Sequence, residues 1–430
     1  MASKSFTYHN EVTRKYRILC AIDSLTGGGA ERVLSQITNR LDATRFEVHL
    51  VMTLGKEIYQ QLAPQIKLVP LINDAPEMLL QLRRNRLLRL GDRILVEILR
   101  LIGLNEKSDG SLYHHLQTLC VSTILFGQYV RAIRPDCVLS FLPLTNLVCL
   151  LARRWYHLQV PMILSDRNYL SREINNLPWT HLHQICIRAY YPKVEHHIAV
   201  SEAAAVDLAV NFGVSRERIT CIYNGVDHER LATAALAPLP VLLTPGEVHL
   251  VAAGRLHPQK GFDLLFDALA RTQSRNWRLW LLGSGPDETK LRQQAAMLGI
   301  SDHVDFLGFD ANPWRWFARA DIFVMSSRWE GLPNALIEAM ALGLPIIATD
   351  CPSGPAEILE NGHWGRLVTA ESSPALATAI DTFIIDVKQR AKFALRAQQR
   401  ALDFRIERMV DSYTNLMINT IKTANRDGIL

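Results

Sequence analysis

The sequence predicts an α/β protein of two tandem units, each built on a parallel sheet. Three observations carry this: strand-like and helix-like patterns alternate along nearly the whole chain, a glycine-rich loop follows the first strand pattern, and a charge-free break separates two similar halves. Arg17–Asp23 (RILCAID) reads as the first strand, with a helix from about Ala30 to Leu41 and a second strand over Phe46–Thr53. Further strands are expected at Asp136–Phe141, Met162–Ser165 and His197–Ser201, where Ser201 is placed to cap the helix beginning at Glu202. The break is Leu231–Gly246, with three prolines, one glycine and no charge, and it reads as a linker. Val248–Gly254 opens the second unit, which continues through Arg278–Leu282, Val304–Leu307, Ile322–Met325 and Pro345–Ala348; the last thirty or so residues read as helical.

Composition narrows the function classes. The chain has 430 residues, 48% hydrophobic and 21% charged, enough apolar matter for two cores. Its seven cysteines form no CxxC pair, so neither a zinc site nor a disulfide framework is indicated. Net charge is only +5 and nucleic-acid motif spacings are absent, so no nucleic-acid partner is expected. No run of eighteen apolar residues occurs: Cys137–Ala152 comes nearest, but Pro143, Thr145 and Asn146 interrupt it, so it reads as a buried strand followed by a helix. Met1–Tyr16 is polar and lacks the apolar centre of a secretory signal. A cytoplasmic location is therefore expected. Residues 78–103 form a leucine-rich stretch with six arginines against Asp92 and Glu97. This basic amphipathic pattern suits either an anionic membrane surface or a solvated face.

The densest chemical signal is Ser326–Leu359. A buried strand is followed by a loop and a helix that starts near Pro333 or Asn334, with the proline tolerated in the first turn. The free N–H groups of such a turn, Asn334, Ala335 and Leu336, make an anion site at the carboxyl ends of parallel strands. Glu330 lies in the loop and Glu338 about one turn into the helix. Carboxylates so placed suit the vicinal hydroxyls of a sugar and a ribose on either side of a diphosphate. A second block, Gly254–Phe262 (GRLHPQKGF), places Arg255 and Lys260 beyond a strand, a fork and a point charge suited to that diphosphate. A third block, Leu25–Arg32 (LTGGGAER), has glycines that allow close backbone approach to a ligand and lacks the G-x-G-x-x-G pattern of a dinucleotide site.

Glu330 and Glu338 match the E-x7-E motif of family 4 glycosyltransferases, and EGLPNALIEAMALGLPIIATD resembles that family's donor block throughout. GRLHPQKG is similar to its G-R-L-x-x-x-K-G element, and the glycine loop to the one facing its cleft. The resemblance implies a GT-B architecture, two Rossmann-like domains facing across a cleft, and a retaining transferase. It implies an acceptor-binding domain over 1–235, a nucleotide-sugar domain over 246–402, and a final helix over 403–430 packing back on the first domain. Arg255 and Lys260 would stabilise the departing diphosphate, Glu330 would hold the sugar and Glu338 the ribose. Gly28, Gly29, Gly254, Gly283, Gly308, Phe309, Gly331, Leu332 and Pro333 would complete the donor site.

Where many relatives carry a histidine near the donor sugar, this chain has Ser165-Asp166-Arg167-Asn168. Asp166 is expected to act in catalysis, with Arg167 and Asn168 on the acceptor. No D-x-D occurs, so no metal or other cofactor is expected. The implied partners are a nucleotide diphosphate sugar, by analogy a UDP-sugar, and a glycan or polyprenyl-diphosphate-linked acceptor of bacterial surface-polysaccharide synthesis. A sugar-nucleotide 2-epimerase and a non-catalytic nucleotide-sugar-binding protein are the alternatives on the same fold.

Overall fold

The computed structural model describes residues 14–26, 28–53, 61–72, 106–175, 180–240 and 246–426, with side chains of 106–114 left aside. The basic stretch 78–103 lies outside the described residues.

Two all-parallel sheets form the two lobes. The first has seven strands: β1 (Tyr16–Ile22), β2 (Phe46–Met52), β3 (Lys67–Pro70), β4 (Cys137–Phe141), β5 (Met162–Asp166), β6 (His196–Ala199) and β7 (Ile219–Cys221), in the order β3-β2-β1-β4-β5-β6-β7. The second has six: β8 (Val248–Ala253), β9 (Trp277–Leu282), β10 (Val304–Gly308), β11 (Ile322–Met325), β12 (Ile346–Asp350) and β13 (Arg366–Thr369), in the order β10-β9-β8-β11-β12-β13. In both sheets the strand order reverses beside the first strand, and a ligand crevice forms at such a switch point. Central strands such as β4 and β5 are buried at every residue, because helices cover both faces.

Ser201 caps its helix as the sequence predicts: its Oγ accepts from the Ala204 N–H at 3.1 Å. Pro143 opens a helix directly after β4, so the apolar run from Cys137 does split into strand and helix. The break between the halves is shorter than expected. Asp227 caps a helix over His228–Ala235, so the start of the predicted linker is helical. Three short strands, β3, β7 and β13, went unread. With three or four residues each at or near a sheet edge, they leave little periodicity to see.

The chain crosses back to the first lobe at its end. After the Val387–Ala401 helix it passes through Leu402–Phe404 into the Ile406–Arg426 helix. That helix lays Ile406, Met409, Tyr413, Met417 and Ile421 into the same core as Ile18 and Cys20 of β1. Tyr413 stacks on Phe141, with centroids 6.1 Å apart. Two backbone hydrogen bonds, Val226 to Phe404 and Ile406 to Val226, tie this crossing to the end of the first lobe.

Candidate active site

The second lobe builds its wall of the cleft from loops at the carboxyl ends of β8, β9, β10 and β11. These loops are stitched together by their backbones: the Gly254 N–H donates to Leu282 and the Gly283 N–H to Gly308, at 2.9 and 2.7 Å. Gly283 has φ +130°, and a Cβ there would sit 1.9 Å from the Gly254 carbonyl oxygen. Only glycine lets these two loops lie together. Gly308 closes β10, and the Phe309 side chain beyond it is 60% exposed.

Lys260 and Glu330, seventy residues apart, meet in an ion pair with Nζ to Oε1 at 2.6 Å. Glu330 is buried, and its Oε1 also accepts from Ser327 Oγ at 2.7 Å. Each holds the other in place, and a diphosphate entering here would draw the ammonium toward a second anion. Arg255 is exposed on the neighbouring loop, its charge close enough to influence Glu31 and Glu173 on the opposite lobe.

The Asn334–Ala341 helix begins one residue later than a first-turn proline requires. Pro333 is the residue ahead of it, with φ −71° and ψ 106°, and no side chain caps the turn. The N–H groups of Asn334, Ala335 and Leu336 therefore form an open, dipole-favoured end. The Leu336 and Leu332 side chains turn into the core, so any ligand contact from them is through the backbone. Glu338 is buried: Trp314 Nε1 donates to its Oε2 at 2.9 Å and Arg32 of the first lobe donates to its Oε1.

The first lobe meets this wall closely. Gly28 precedes the Gly29–Arg40 helix, and the Gly29 carbonyl faces Asn334 Nδ2 at 3.5 Å. A Cβ at Gly331 would come within 2.3 Å of the Arg167 carbonyl oxygen and 2.8 Å of Asn168 Cα. The Gly331 loop thus abuts the backbone of the Asp166–Asn168 segment.

The side chains of that segment turn elsewhere. Arg167 donates to Tyr413 OH at 2.8 Å and to Asn224 Oδ1, and lies over the Phe141 ring. Asn224 Nδ2 in turn donates to the Leu332 carbonyl at 3.1 Å and to Asn334 Oδ1 at 2.7 Å. Arg167 is thereby a member of the joint between the lobes. Asn168 Oδ1 accepts from the Tyr169 N–H. Asp166 is 1% exposed, its Oδ1 accepting from Asn146 Nδ2 and Tyr191 OH at 3.2 and 3.1 Å. Its Oδ2 is buried without a hydrogen-bond partner, and burial pushes its carboxyl up to about 7.

Sequence reasoning missed several groups. Burial raises Asp23, Glu31 and Glu173, the last to about 7, with Arg255 partly offsetting the effect on Glu31 and Glu173. It also missed Arg32 and Trp314 on Glu338, and Asn224 in the joint. Glu31 and Arg32 end the glycine block, and Asn224-Gly225 reads on its own as a turn.

Two family models match in tandem: "Glycosyltransferase Family 4" over residues 106–230 and "Glycosyl transferases group 1" over 242–400. The chain is 25% identical over 383 residues to the N-acetylgalactosamine-N,N'-diacetylbacillosaminyl-diphospho-undecaprenol 4-alpha-N-acetylgalactosaminyltransferase of Campylobacter jejuni, covering 89% of this chain and 94% of that one. It is 26% identical over 296 residues to a lipopolysaccharide 1,6-galactosyltransferase of Salmonella typhimurium, covering 66% and 74%. Among solved structures, Anabaena HepE in complex with UDP-glucose superposes with a TM-score of 0.67 at 21% identity, over 94% of this chain and 99% of that one. The lipopolysaccharide glycosyltransferase WaaG gives 0.66 at 14%, over 93% and 99%. The fold is GT-B, and the tandem models and these relatives together support a glycosyltransferase of the family 4 type.

Proposed function

We propose that the protein transfers a hexose or N-acetylhexosamine, with retention, from a UDP-sugar to a glycan or polyprenyl-diphosphate-linked acceptor in surface-polysaccharide synthesis. The observation that carries this is the convergence of the Lys260–Glu330 pair, the uncapped helix end at Asn334 and buried Glu338 on one cleft wall, with Arg255 on the adjoining loop. In the proposed step the bond from the anomeric carbon to the diphosphate loosens, charge grows on the leaving phosphate, and Arg255, Lys260 and the helix N–H groups stabilise it. The acceptor hydroxyl arrives on the same face, and a phosphate oxygen takes its proton. Glu330 positions the sugar and Glu338 the ribose. These cationic groups take the part a metal would play, so transfer is expected to persist in EDTA.

Two relatives' names support the class of acceptor. One acts on a diphospho-undecaprenol-linked sugar with an alpha linkage, the outcome of retention from an alpha-linked donor, and the other acts on lipopolysaccharide. Action at the inner membrane face, with the basic stretch 78–103 on anionic lipid, fits such an acceptor. The test is a thermal-shift panel of nucleotide sugars with UDP and GDP, followed by transfer assays with the ligands that stabilise. The reading predicts a rise in melting temperature with UDP and its sugars; a protein indifferent to every nucleotide would sink it.

A further inference from the structure

Glu338 is held from two lobes. Trp314 Nε1 takes one carboxylate oxygen, and the other is taken by Arg32, which lies 306 residues away on the Gly29–Arg40 helix. The pair is shielded: the Glu338 side chain is 7% exposed and that of Arg32 24%. Arg32 also lies over the Trp314 ring, 5.9 Å from its centroid, so the three side chains fix one another. Next to them Gly29 faces Asn334 at the mouth of the anion site, so one helix of the first lobe spans from the phosphate position to Glu338.

We propose that Arg32 is a positioning residue for ribose recognition: from the opposite lobe it fixes the Glu338 carboxylate, so the nucleotide's ribose site is complete only when the lobes meet. This rests on the nucleotide-sugar reading of the cleft. An ionised carboxylate offers about four acceptor directions. Arg32 and Trp314 occupy one on each oxygen, and those left over accept from the two ribose hydroxyls. Without Arg32, Glu338 keeps its charge but loses its orientation and its counter-ion in a shielded place, where an unpaired carboxylate is costly. Ribose selectivity, rather than diphosphate binding, is what suffers.

Calorimetry with UDP and 2',3'-dideoxy-UDP reads this directly. Wild type should favour UDP by roughly tenfold or more, the size of a hydrogen bond to a charged group. In Arg32→Ala that preference should fall toward unity, while Arg32→Lys retains part of it. Asn39→Ala is the control: Asn39 lies on the same helix but bonds the Gln61 carbonyl and the Ala63 N–H within the first lobe, so the wild-type preference should persist. In transfer assays Arg32→Ala should raise the donor KM by a larger factor than it lowers kcat. A selective wild type with an equally selective Arg32→Ala variant overturns the inference while leaving the nucleotide-sugar reading intact. A wild type that binds UDP but ignores the two hydroxyls overturns the ribose role of Glu338 and the inference with it.

Discussion

The two walls of the cleft are built on opposite plans. The second lobe carries its chemistry in short contiguous blocks, 254–262 and 326–338, each a loop between a parallel strand and a helix. The first lobe contributes single residues from distant places: Arg32 from an early helix, Asn224 from beyond β7, Arg167 from beyond β5. One wall is a set of strand-to-helix loops, which the proposed function aims at a charged ligand. The other is a joint, and its polar groups are spent largely on holding the lobes together. Catalytic loss should therefore concentrate in the second lobe, and losses of closure and stability in the first.

The sharpest break in this contrast comes from the cations. Arg255→Ala or Lys260→Ala should cut turnover by about two orders of magnitude or more, as removal of a group that stabilises developing charge does. Lys260→Ala also strands the buried Glu330 carboxylate, so its melting temperature should fall as well, whereas exposed Arg255 can be removed without that penalty. Initial rates with saturating donor decide the point; near-wild-type rates in both variants would remove these residues from the chemistry.

Gly331→Ala tests the seam between the walls. The added methyl meets the Arg167 carbonyl oxygen at 2.3 Å, backbone against backbone, so the lobes must part to admit it. A displacement of about 1 Å from productive geometry can cost up to roughly 10²-fold in rate. The expected result is a fall in kcat together with weaker UDP binding, since parting the lobes also draws Arg32 away from Glu338. Unchanged kcat would mean that the closed arrangement is not the reactive one.

Arg167→Ala separates the joint from the acceptor. Its guanidinium bonds Tyr413 of the final helix and Asn224, and hydrogen bonds to charged groups contribute about 1.5–3 kcal/mol. The variant should therefore melt several degrees lower. An acceptor-binding role instead predicts a raised acceptor KM at an unchanged melting temperature.

How much could be read from the sequence follows the same division. The strand, loop and helix of the 254–262 and 326–338 blocks were legible because loop, helix start and charge lie within a dozen residues, so local rules suffice. The pairing of Lys260 with Glu330 was not, since nothing local says that a loop after β8 meets one after β11. In the first lobe Asp166 and Arg167 were noticed because they stand where many relatives carry a histidine, but their partners Tyr191, Asn224 and Tyr413 come from elements whose packing only the fold determines. β7, with three residues, gave no periodic signal, although it leads into the Asn224 crossing.

The smallest effect belongs to Asp166, where the proposed catalytic role and the buried supporting role part company. Its carboxyl is raised by burial from the ordinary 3.8 to about 7. The folded protein therefore holds this proton more tightly than the unfolded chain does. The neutral form's contribution to stability is full below about pH 4 and is lost as pH rises through about 7. Asp166→Asn mimics the neutral acid: its Oδ1 still accepts from Asn146 and Tyr191, and it carries no charge to bury. The variant should match wild type in melting temperature near pH 4, exceed it increasingly from about pH 4 to 7, and hold that margin at higher pH. Glu173, raised partly by the charge on Asp166, should titrate lower in the variant and widen the gap. Parallel melting curves across that range would mean that the carboxyl is not buried as described. A loss of transfer activity at unchanged stability would move Asp166 from the support of the wall to its face.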